Sequence, residues 1–113
     1  MRETDIEEYL VKQARARGGM ALKFVSPGCS GVPDRIVILP GGRIGFLELK
    51  RPGEKPRAEQ RLRLKQLREL GCLATWTDSK AGVAGFLTRL ETEKADSGIS
   101  EYLTDILEAG GLI

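Results

Sequence analysis

The sequence predicts a mixed α/β fold in which a central sheet is flanked by helices, with the element order α-β-β-β-α-β-α-α. Two β-rich runs, residues 32–39 and 43–50, flank Pro40, Gly41 and Gly42, a spacing typical of an antiparallel hairpin. Segments before and after this hairpin carry apolar residues at helical spacing. The 113 residues, 41% of them hydrophobic, are enough for one small domain with a single core.

The first part of the chain is predicted to form a helix and a strand that precede the hairpin. Thr4 or Asp5 is expected to cap a helix that ends near Arg17. Residues 20–25 predict the first strand, and residues 26–31 form a loop that leads into the hairpin. The helix is expected to bury an apolar stripe that consists of Ile6, Leu10 and Ala14.

A second helix and a fourth strand are predicted after the hairpin. Pro56 suits the first position of a helix that continues to about residue 70, before Gly71. The residues of this helix that are expected to face inward are Leu62, Leu67 and Leu70. Residues 72–77 predict the fourth strand, with Trp76 in the core.

The last part of the chain predicts a third helix, a polar linker and a short fourth helix. Asp78 or Ser79 is expected to cap the third helix, which ends near Leu90. We therefore divide the chain into a domain of residues 1–90 and an extension of residues 91–113. Ser100 is expected to cap the last helix, whose apolar stripe consists of Ile99, Tyr102, Leu103, Ile106 and Leu107. This stripe is expected to contact either a second subunit or the core of its own subunit.

Composition excludes several classes of function. No run approaches the roughly 18 apolar residues of a membrane helix, and the charged N-terminus does not resemble a signal peptide. The chain has no histidine, which excludes Ser-His-Asp and Cys-His pairs and most transition-metal sites. Cys29 and Cys72 are far apart in sequence, so we expect no disulfide and a reducing cytoplasm. No glycine-rich phosphate motif is present, and we expect no nucleotide cofactor.

The charge of the chain is distributed unevenly, although the net charge is only +2. Residues 50–68 contain eight basic residues and two acidic ones, whereas residues 91–113 contain six acidic residues and one lysine. A charged helix face is usually only solvated. The single sign of this excess, directly after the hairpin, favours contact with a phosphate backbone. The acidic extension, residues 91–113, is expected to stay away from a phosphate backbone.

The hairpin is predicted to bring two carboxylates together. With a three-residue turn at residues 40–42, Asp34 lies opposite Glu48, and side chains that face each other across strands have Cβ atoms about 4.5–5.5 Å apart. Two such carboxylates repel each other unless a proton or a hard cation such as Mg²⁺ lies between them. Lys50 points to the same face as Glu48. A two-residue turn would instead pair Asp34 with Leu49 and place the carboxylates on opposite faces.

The first helix carries two further carboxylates on its predicted buried line. Glu3 and Glu7 follow the i, i+3, i+4 spacing of Ile6 and Leu10. Burying a carboxylate on a core-facing line costs folding free energy unless a hydrogen-bond donor, a positive charge or a metal ion contacts it. The alternative is that both residues only favour the N-terminus of the helix through its dipole.

Residues around the hairpin resemble a known nuclease family. Pro33-Asp34 followed by Glu48-Leu49-Lys50 matches the PD-(D/E)XK signature, which implies a restriction-endonuclease-like fold. The longer pattern of Gly31 before Pro33-Asp34, the hairpin, and Gln60 on the next helix resembles the virus-type replication-repair nuclease (VRR-NUC) domain in its phage-like stand-alone form. The similarity covers about residues 3–87 and implies a bacterial or phage-infected host cell.

The resemblance implies a Mg²⁺- or Mn²⁺-dependent endonuclease that cuts branched DNA, such as a Holliday junction, as a homodimer that does not contact a membrane. Asp34, Glu48 and the backbone carbonyl of Leu49 would bind the metal. Either Glu3 or Glu7 would complete the metal site, with Glu3 favoured by its position. Lys50 and Gln60 would join Asp34 and Glu48 in catalysis. The residues expected to contact DNA are Lys23, Arg51, Lys55, Arg57, Arg61 and Arg63.

Two alternative functions and two alternative residue roles remain at the level of sequence. A DNA-binding or assembly protein of the same fold would need no cation, and a restriction-type endonuclease would need a recognition element that 113 residues hardly contain. For Lys23, a solvated lysine on an edge strand is favoured over a phosphate contact by the sequence alone. Gln60 has the ordinary alternative of a surface glutamine.

Overall fold

The computed structural model describes residues 1–93, which contain seven elements in the predicted order. They are α1 (Glu3–Ala16), β1 (Met20–Lys23), β2 (Arg35–Leu39), β3 (Arg43–Leu49), α2 (Ala58–Glu69), β4 (Leu73–Thr77) and α3 (Lys80–Thr92). The predicted last helix and its apolar stripe lie outside the described residues. The division of the chain at residue 90 stays a prediction. Within residues 1–93, no helix combines the length and the apolar character that a bilayer crossing requires.

The four strands form one mixed sheet in the order β1-β2-β3-β4. β1 and β3 are antiparallel to β2, whereas β4 lies parallel to β3. Leu39 lies opposite Arg43, and Arg35 lies opposite Leu47, which confirms the three-residue turn. Gly41 and Gly42 have φ values of +89° and +72°, a region that glycine reaches without steric cost. The same register, continued by one residue, places Asp34 opposite Glu48.

The core lies between one face of the sheet and helices α1 and α3. Odd-numbered residues of β2 and β3 face these helices, because successive side chains of a strand alternate between faces. Val37 and Leu47 are fully buried there. The predicted stripe of α1 is confirmed, since its three residues are also fully buried. The main core cluster consists of Ile6, Leu10, Ala14, Val37, Leu39, Leu47, Leu49, Leu73, Val83, Phe86, Leu87 and Leu90.

Helix α2 lies on the opposite face of the sheet, beside β4, and its rotation differs from the prediction. Leu62 and Leu70 are 49% and 81% exposed, so their expected inward orientation was wrong. The buried residues are Gln60 and Leu64, while Leu67 is half-buried. The helix turns this line toward the sheet because Gln60 hydrogen-bonds to a strand residue, a polar contact that an apolar pattern does not reveal. Pro56 precedes the helix rather than starting it.

Two of the predicted helix caps can be compared directly with the structure. The cap of α1 is Arg2, not Thr4 or Asp5; Asp5 instead lies in the first turn, where its carboxylate accepts the backbone N–H of Arg2 at 2.7 Å. Ser79 caps α3 as predicted, because its Oγ accepts the N–H of Gly82 at 3.0 Å. Trp76, expected in the core, is only half-buried.

Candidate active site

The candidate site lies at the end of the sheet that is remote from the hairpin turn. Asp34 immediately precedes β2, and Glu48 lies near the end of β3. The N-terminal turns of α1 bring Glu3 and Glu7 to this end of the sheet, and the first turn of α2 brings Gln60. The site is therefore assembled from two strand ends and two helix N-termini that are distant in sequence.

Asp34 and Glu48 are held by reciprocal hydrogen bonds to each other's strand. The backbone N–H of Asp34 donates to Glu48 Oε2 at 3.0 Å, and the N–H of Leu49 donates to Asp34 Oδ1 at 3.2 Å. Each carboxylate thus receives a backbone donor from the strand that carries the other. This arrangement keeps both side chains in place even though their charges repel.

Burial, followed by repulsion from neighbouring carboxylates, raises the pKa values of both Asp34 and Glu48. Glu48 is 5% exposed, and burial, followed by the charge of Asp34, raises its pKa from 4.5 to about 7. The N–H of Asp34 and the ammonium of Lys50 act in the opposite direction. Burial also raises the pKa of Asp34, against the effect of its bond from the Leu49 N–H. The site therefore favours binding of a proton or a cation.

Both candidate carboxylates of α1 reach Asp34. One oxygen each of Glu3, Glu7 and Asp34 lies within 4.8 Å of the others, a group that can hold a metal ion. Glu7 Oε2 also lies 3.5 Å from Nη2 of Arg35, so its charge is partly neutralised. The structure brings both Glu3 and Glu7 to the site, and the preference for Glu3 stays a prediction.

Arg35 is a residue of the site that the sequence analysis missed. It follows Asp34 directly, points to the opposite face of the sheet and is 6% exposed. Its Nε is buried, and no hydrogen-bond partner for it is present among the described residues. A signal existed in the sequence, because Arg35 shares the inward register of Val37 and Leu39, where a charged residue requires a partner.

Gln60 is buried and links α2 to the site. Its Nε2 donates to Glu48 Oε1 at 2.7 Å, while its Oε1 accepts the N–H of Arg57 at 2.9 Å. The second bond fixes which end of the amide points to Glu48. The resemblance implied that this glutamine orients the lysine or a water molecule, whereas its side-chain contact in the structure is with the glutamate.

Lys50 is held between two carboxylates. Its Nζ lies 3.7 Å from Glu48 Oε1 and 3.5 Å from Glu54 Oε1, and its side chain is 10% exposed. Glu54 also contacts Arg51 Nε at 2.8 Å. The sequence analysis gave Glu54 no role. Its approach to Lys50 depends on the turn that follows β3, and no sequence pattern could have indicated it.

The predicted DNA contacts lie in three places. Four of them are exposed on the loop after β3 and on the first turns of α2: Arg51, Lys55, Arg57 and Arg61. Arg63 is half-buried, and its Nε donates to the carbonyl of Ser30 at 2.8 Å. Lys23 is exposed on the edge strand β1, opposite Arg35 of β2.

Known proteins similar to this chain include nucleases. The chain is 50% identical over 80 residues to "Putative nuclease p44" of Acyrthosiphon pisum secondary endosymbiont phage 1, and the match covers 71% of this chain and 86% of the phage protein. A solved structure described as a VRR_NUC domain superposes with a TM-score of 0.71 and 31% sequence identity, covering 76% of this chain and 94% of that chain. No protein-family model matches the sequence.

Proposed function

Because this chain belongs to the VRR-NUC family of nucleases, we propose that it hydrolyses phosphodiester bonds inside DNA strands with the help of Mg²⁺ or Mn²⁺. The main support is the convergence of Glu3, Glu7 and Asp34 beside the buried Glu48. Carboxylates this close are costly in a protein unless a positive charge compensates them. Within residues 1–93, Arg35 and Lys50 provide only part of that charge.

The oxygen donors of the site fit a hard divalent cation, which prefers carboxylate and carbonyl ligands. Asp34 and Glu48 would bind it, together with the carbonyl of Leu49 and a carboxylate of α1. Glu3 is the better candidate from α1, since Arg35 competes for Glu7 at 3.5 Å. When bound, the cation would supply positive charge to the phosphate and lower the pKa of an attacking water.

Lys50 and Gln60 have separate roles in this proposal. Lys50 presents a positive charge at the edge of the carboxylate group, where it can stabilise the charge that develops on the phosphate in the transition state. The contacts of its Nζ with Glu48 and Glu54 support this role, because they restrict where the ammonium can lie. Gln60 positions Glu48 through its hydrogen bond of 2.7 Å.

DNA is proposed to approach along the loop after β3 and the first turns of α2. The exposed Arg51, Lys55, Arg57 and Arg61 would contact phosphates on both sides of the cleaved bond. Lys23 and Arg63 would contribute from the flanks of the site. These contacts position the backbone without reading sequence, in agreement with a nuclease that selects DNA by shape.

We further propose a branched substrate, most simply a four-way junction, and a symmetric homodimer. One site of this kind serves one phosphodiester bond at a time, so paired cuts in two strands are made most directly by two copies. Two-fold symmetry would present the same basic surface to both strands. The resemblance of stand-alone VRR-NUC domains to Holliday junction resolvases supports the same substrate. Light scattering should report about twice the chain mass of 12.4 kDa.

The chemistry is tested with three single variants in a cleavage assay. Asp34→Ala, Glu48→Ala and Lys50→Ala should each nearly abolish cleavage, and EDTA should do the same to the unaltered protein. Circular dichroism would verify that each variant is folded. Full activity in any folded variant, or in EDTA, would contradict the proposed site. Calorimetric titration with Mn²⁺ should show binding to the unaltered protein and not to Asp34→Ala.

The substrate is tested separately with duplex, flap and four-way-junction DNA of matched length and sequence. The junction should be cut fastest, in pairs of symmetric nicks. Equal cleavage of the linear duplex would contradict a branched substrate and leave the metal chemistry unaffected. A monomer that still makes paired nicks would contradict the dimer.

A further inference from the structure

The sheet has one face that the described part of the chain covers only in part. Within residues 1–93, α1 and α3 pack on one face, and α2 packs on the other face beside β4. Cross-strand pairing leaves two apolar rows over β1, β2 and β3 without a covering helix. We call these two rows the open face; they consist of Met20, Ile38 and Ile44, and of Leu22, Ile36 and Phe46.

The open face exposes three large apolar side chains. Met20, Leu22 and Ile44 are 50%, 47% and 50% exposed. A groove of about 300 Å³ continues from this face to α2, where Phe46 and Leu67 are among its lining residues. Contiguous apolar surfaces of this kind mark sites that another element or molecule covers. The apolar side chains of the open face have no charge or hydrogen-bond donor with which to bind DNA phosphates.

The dimensions of the open face match one short helix. Three neighbouring strands span about 10 Å across, and the five residues of β2 extend about 17 Å. A helix is about 10 Å wide and rises 1.5 Å per residue, so roughly ten residues would cover the face. Such a helix would lie beside α2 and complete a second helical layer, which would bury the apolar side chains of this face.

We propose that residues 99–108 of the same chain form this helix and cover the open face of their own subunit. The sequence places Ile99, Leu103 and Ile106 on one apolar stripe, which Tyr102 and Leu107 extend. The stripe of a single short helix is stable only when it packs on such a surface. The open face and the apolar stripe would then bury each other.

The point where the described chain ends supports this placement. The carbonyl of Glu93 accepts Nε of Arg43 at 2.8 Å. Arg43 is the first residue of β3, directly before Ile44 of the open face. The chain therefore leaves α3 at the hairpin-turn edge of the sheet. The five residues 94–98 span at most about 18 Å when extended, enough to pass around this edge.

Charge favours the same arrangement. Glu101, Asp105 and Glu108 lie on the side of the predicted helix opposite its apolar stripe. With the stripe on the sheet, these carboxylates would face solvent rather than the apolar rows. A second subunit on the open face would cover it too, but would leave the stripe of residues 99–107 without a partner. The intrachain arrangement buries both the open face and the apolar stripe.

The proposal is tested by crosslinking in the full-length chain. In a background with Cys29→Ser and Cys72→Ser, the pair Ile44→Cys and Leu103→Cys would be treated with a short bismaleimide. We expect an intrachain link, with loss of both thiols at monomer mass. The matched control pairs Leu103→Cys with Glu8→Cys, an exposed position on α1, which packs on the other face. This control pair should not be linked.

Each other result would overturn the proposal. A linked dimer from Ile44→Cys alone would show a second subunit on the open face, and a link from 44 to 103 between chains would show an exchanged extension. Absence of any link in a protein that still cleaves DNA would also refute it. A second measurement needs no cysteine: Leu103→Asp with Ile106→Asp should lower hydrogen-exchange protection of β1, and unchanged protection would contradict the proposal.

Discussion

Replacement of Asp34 by asparagine should abolish cleavage and, at the same time, stabilise the metal-free protein above neutral pH. The asparagine can keep its oxygen toward the N–H of Leu49, which donates to Asp34 Oδ1 at 3.2 Å. Among residues 1–93, no donor to the other carboxylate oxygen of Asp34, Oδ2, is present, so an amide nitrogen in its place displaces no hydrogen bond from that part of the chain. The substitution therefore removes mainly the negative charge beside Glu48.

The magnitude follows from the pKa of Glu48, which is raised from 4.5 to about 7, first by burial and second by Asp34. Since the folded protein binds this proton more tightly than the unfolded chain, the resulting stability is fully present below pH 4.5. It is lost as the pH rises through 7. At 1.36 kcal/mol per unit, the loss is about 3 kcal/mol. Asparagine removes only the share due to Asp34, so the gain at pH 8 is on the order of 1 kcal/mol.

The assay is urea unfolding in EDTA at pH 5 and pH 8, followed by circular dichroism. The difference in free energy of unfolding between Asp34→Asn and the unaltered protein should be small at pH 5 and favour the variant at pH 8. Asp78→Asn is the matched control, because Asp78 also accepts a backbone N–H, from Gly53 at 3.0 Å, and is not part of the Glu3, Glu7 and Asp34 group. Equal differences at both pH values, or the same gain in the control, would refute the reasoning.

Three further predictions concern the surface and the packing of the domain. Changing Arg57 and Arg61 together to glutamine should weaken the salt dependence of DNA binding. The slope of the logarithm of the association constant against the logarithm of the salt concentration should fall in magnitude by about 2, since each phosphate contact contributes about 0.9. An unchanged slope would show that these side chains do not face DNA. Gly31→Ala should lower the free energy of unfolding by about 1–3 kcal/mol in urea titrations, because Gly31 has φ +82° and a Cβ would lie 2.8 Å from Glu59; a neutral result would contradict this close packing. In the same assay, Leu64→Ala should lower the free energy of unfolding by about 2–5 kcal/mol, and Leu62→Ala should lower it by less than about 0.5 kcal/mol. The reverse order would mean that α2 is rotated as the sequence had suggested.

The sequence by itself determined the order of the elements and limited the partner of Asp34 to Glu48 or Leu49, and the three-residue turn of the structure selected Glu48. Both limits follow from local rules: glycines at a turn restrict the hairpin register, and the alternation of side chains along a strand then determines whether the two carboxylates share a face. The two α1 carboxylates could be selected for the same reason, because helical periodicity links Glu3 to Ile6 and Leu10. These relations extend over a few residues, and the chain needs no distant partner to define them.

Tertiary structure alone decided the contacts that link the site to the rest of the domain. Gln60 turns α2 away from the rotation that its leucines predict, because a buried hydrogen bond to Glu48 outweighs the exposure of Leu62. Glu54 reaches Lys50 only through the turn after β3, and Arg35 finds Glu7 only when α1 packs on the sheet. Each of these contacts joins polar groups across different elements, and their geometry depends on how those elements pack rather than on the spacing of residues along the chain.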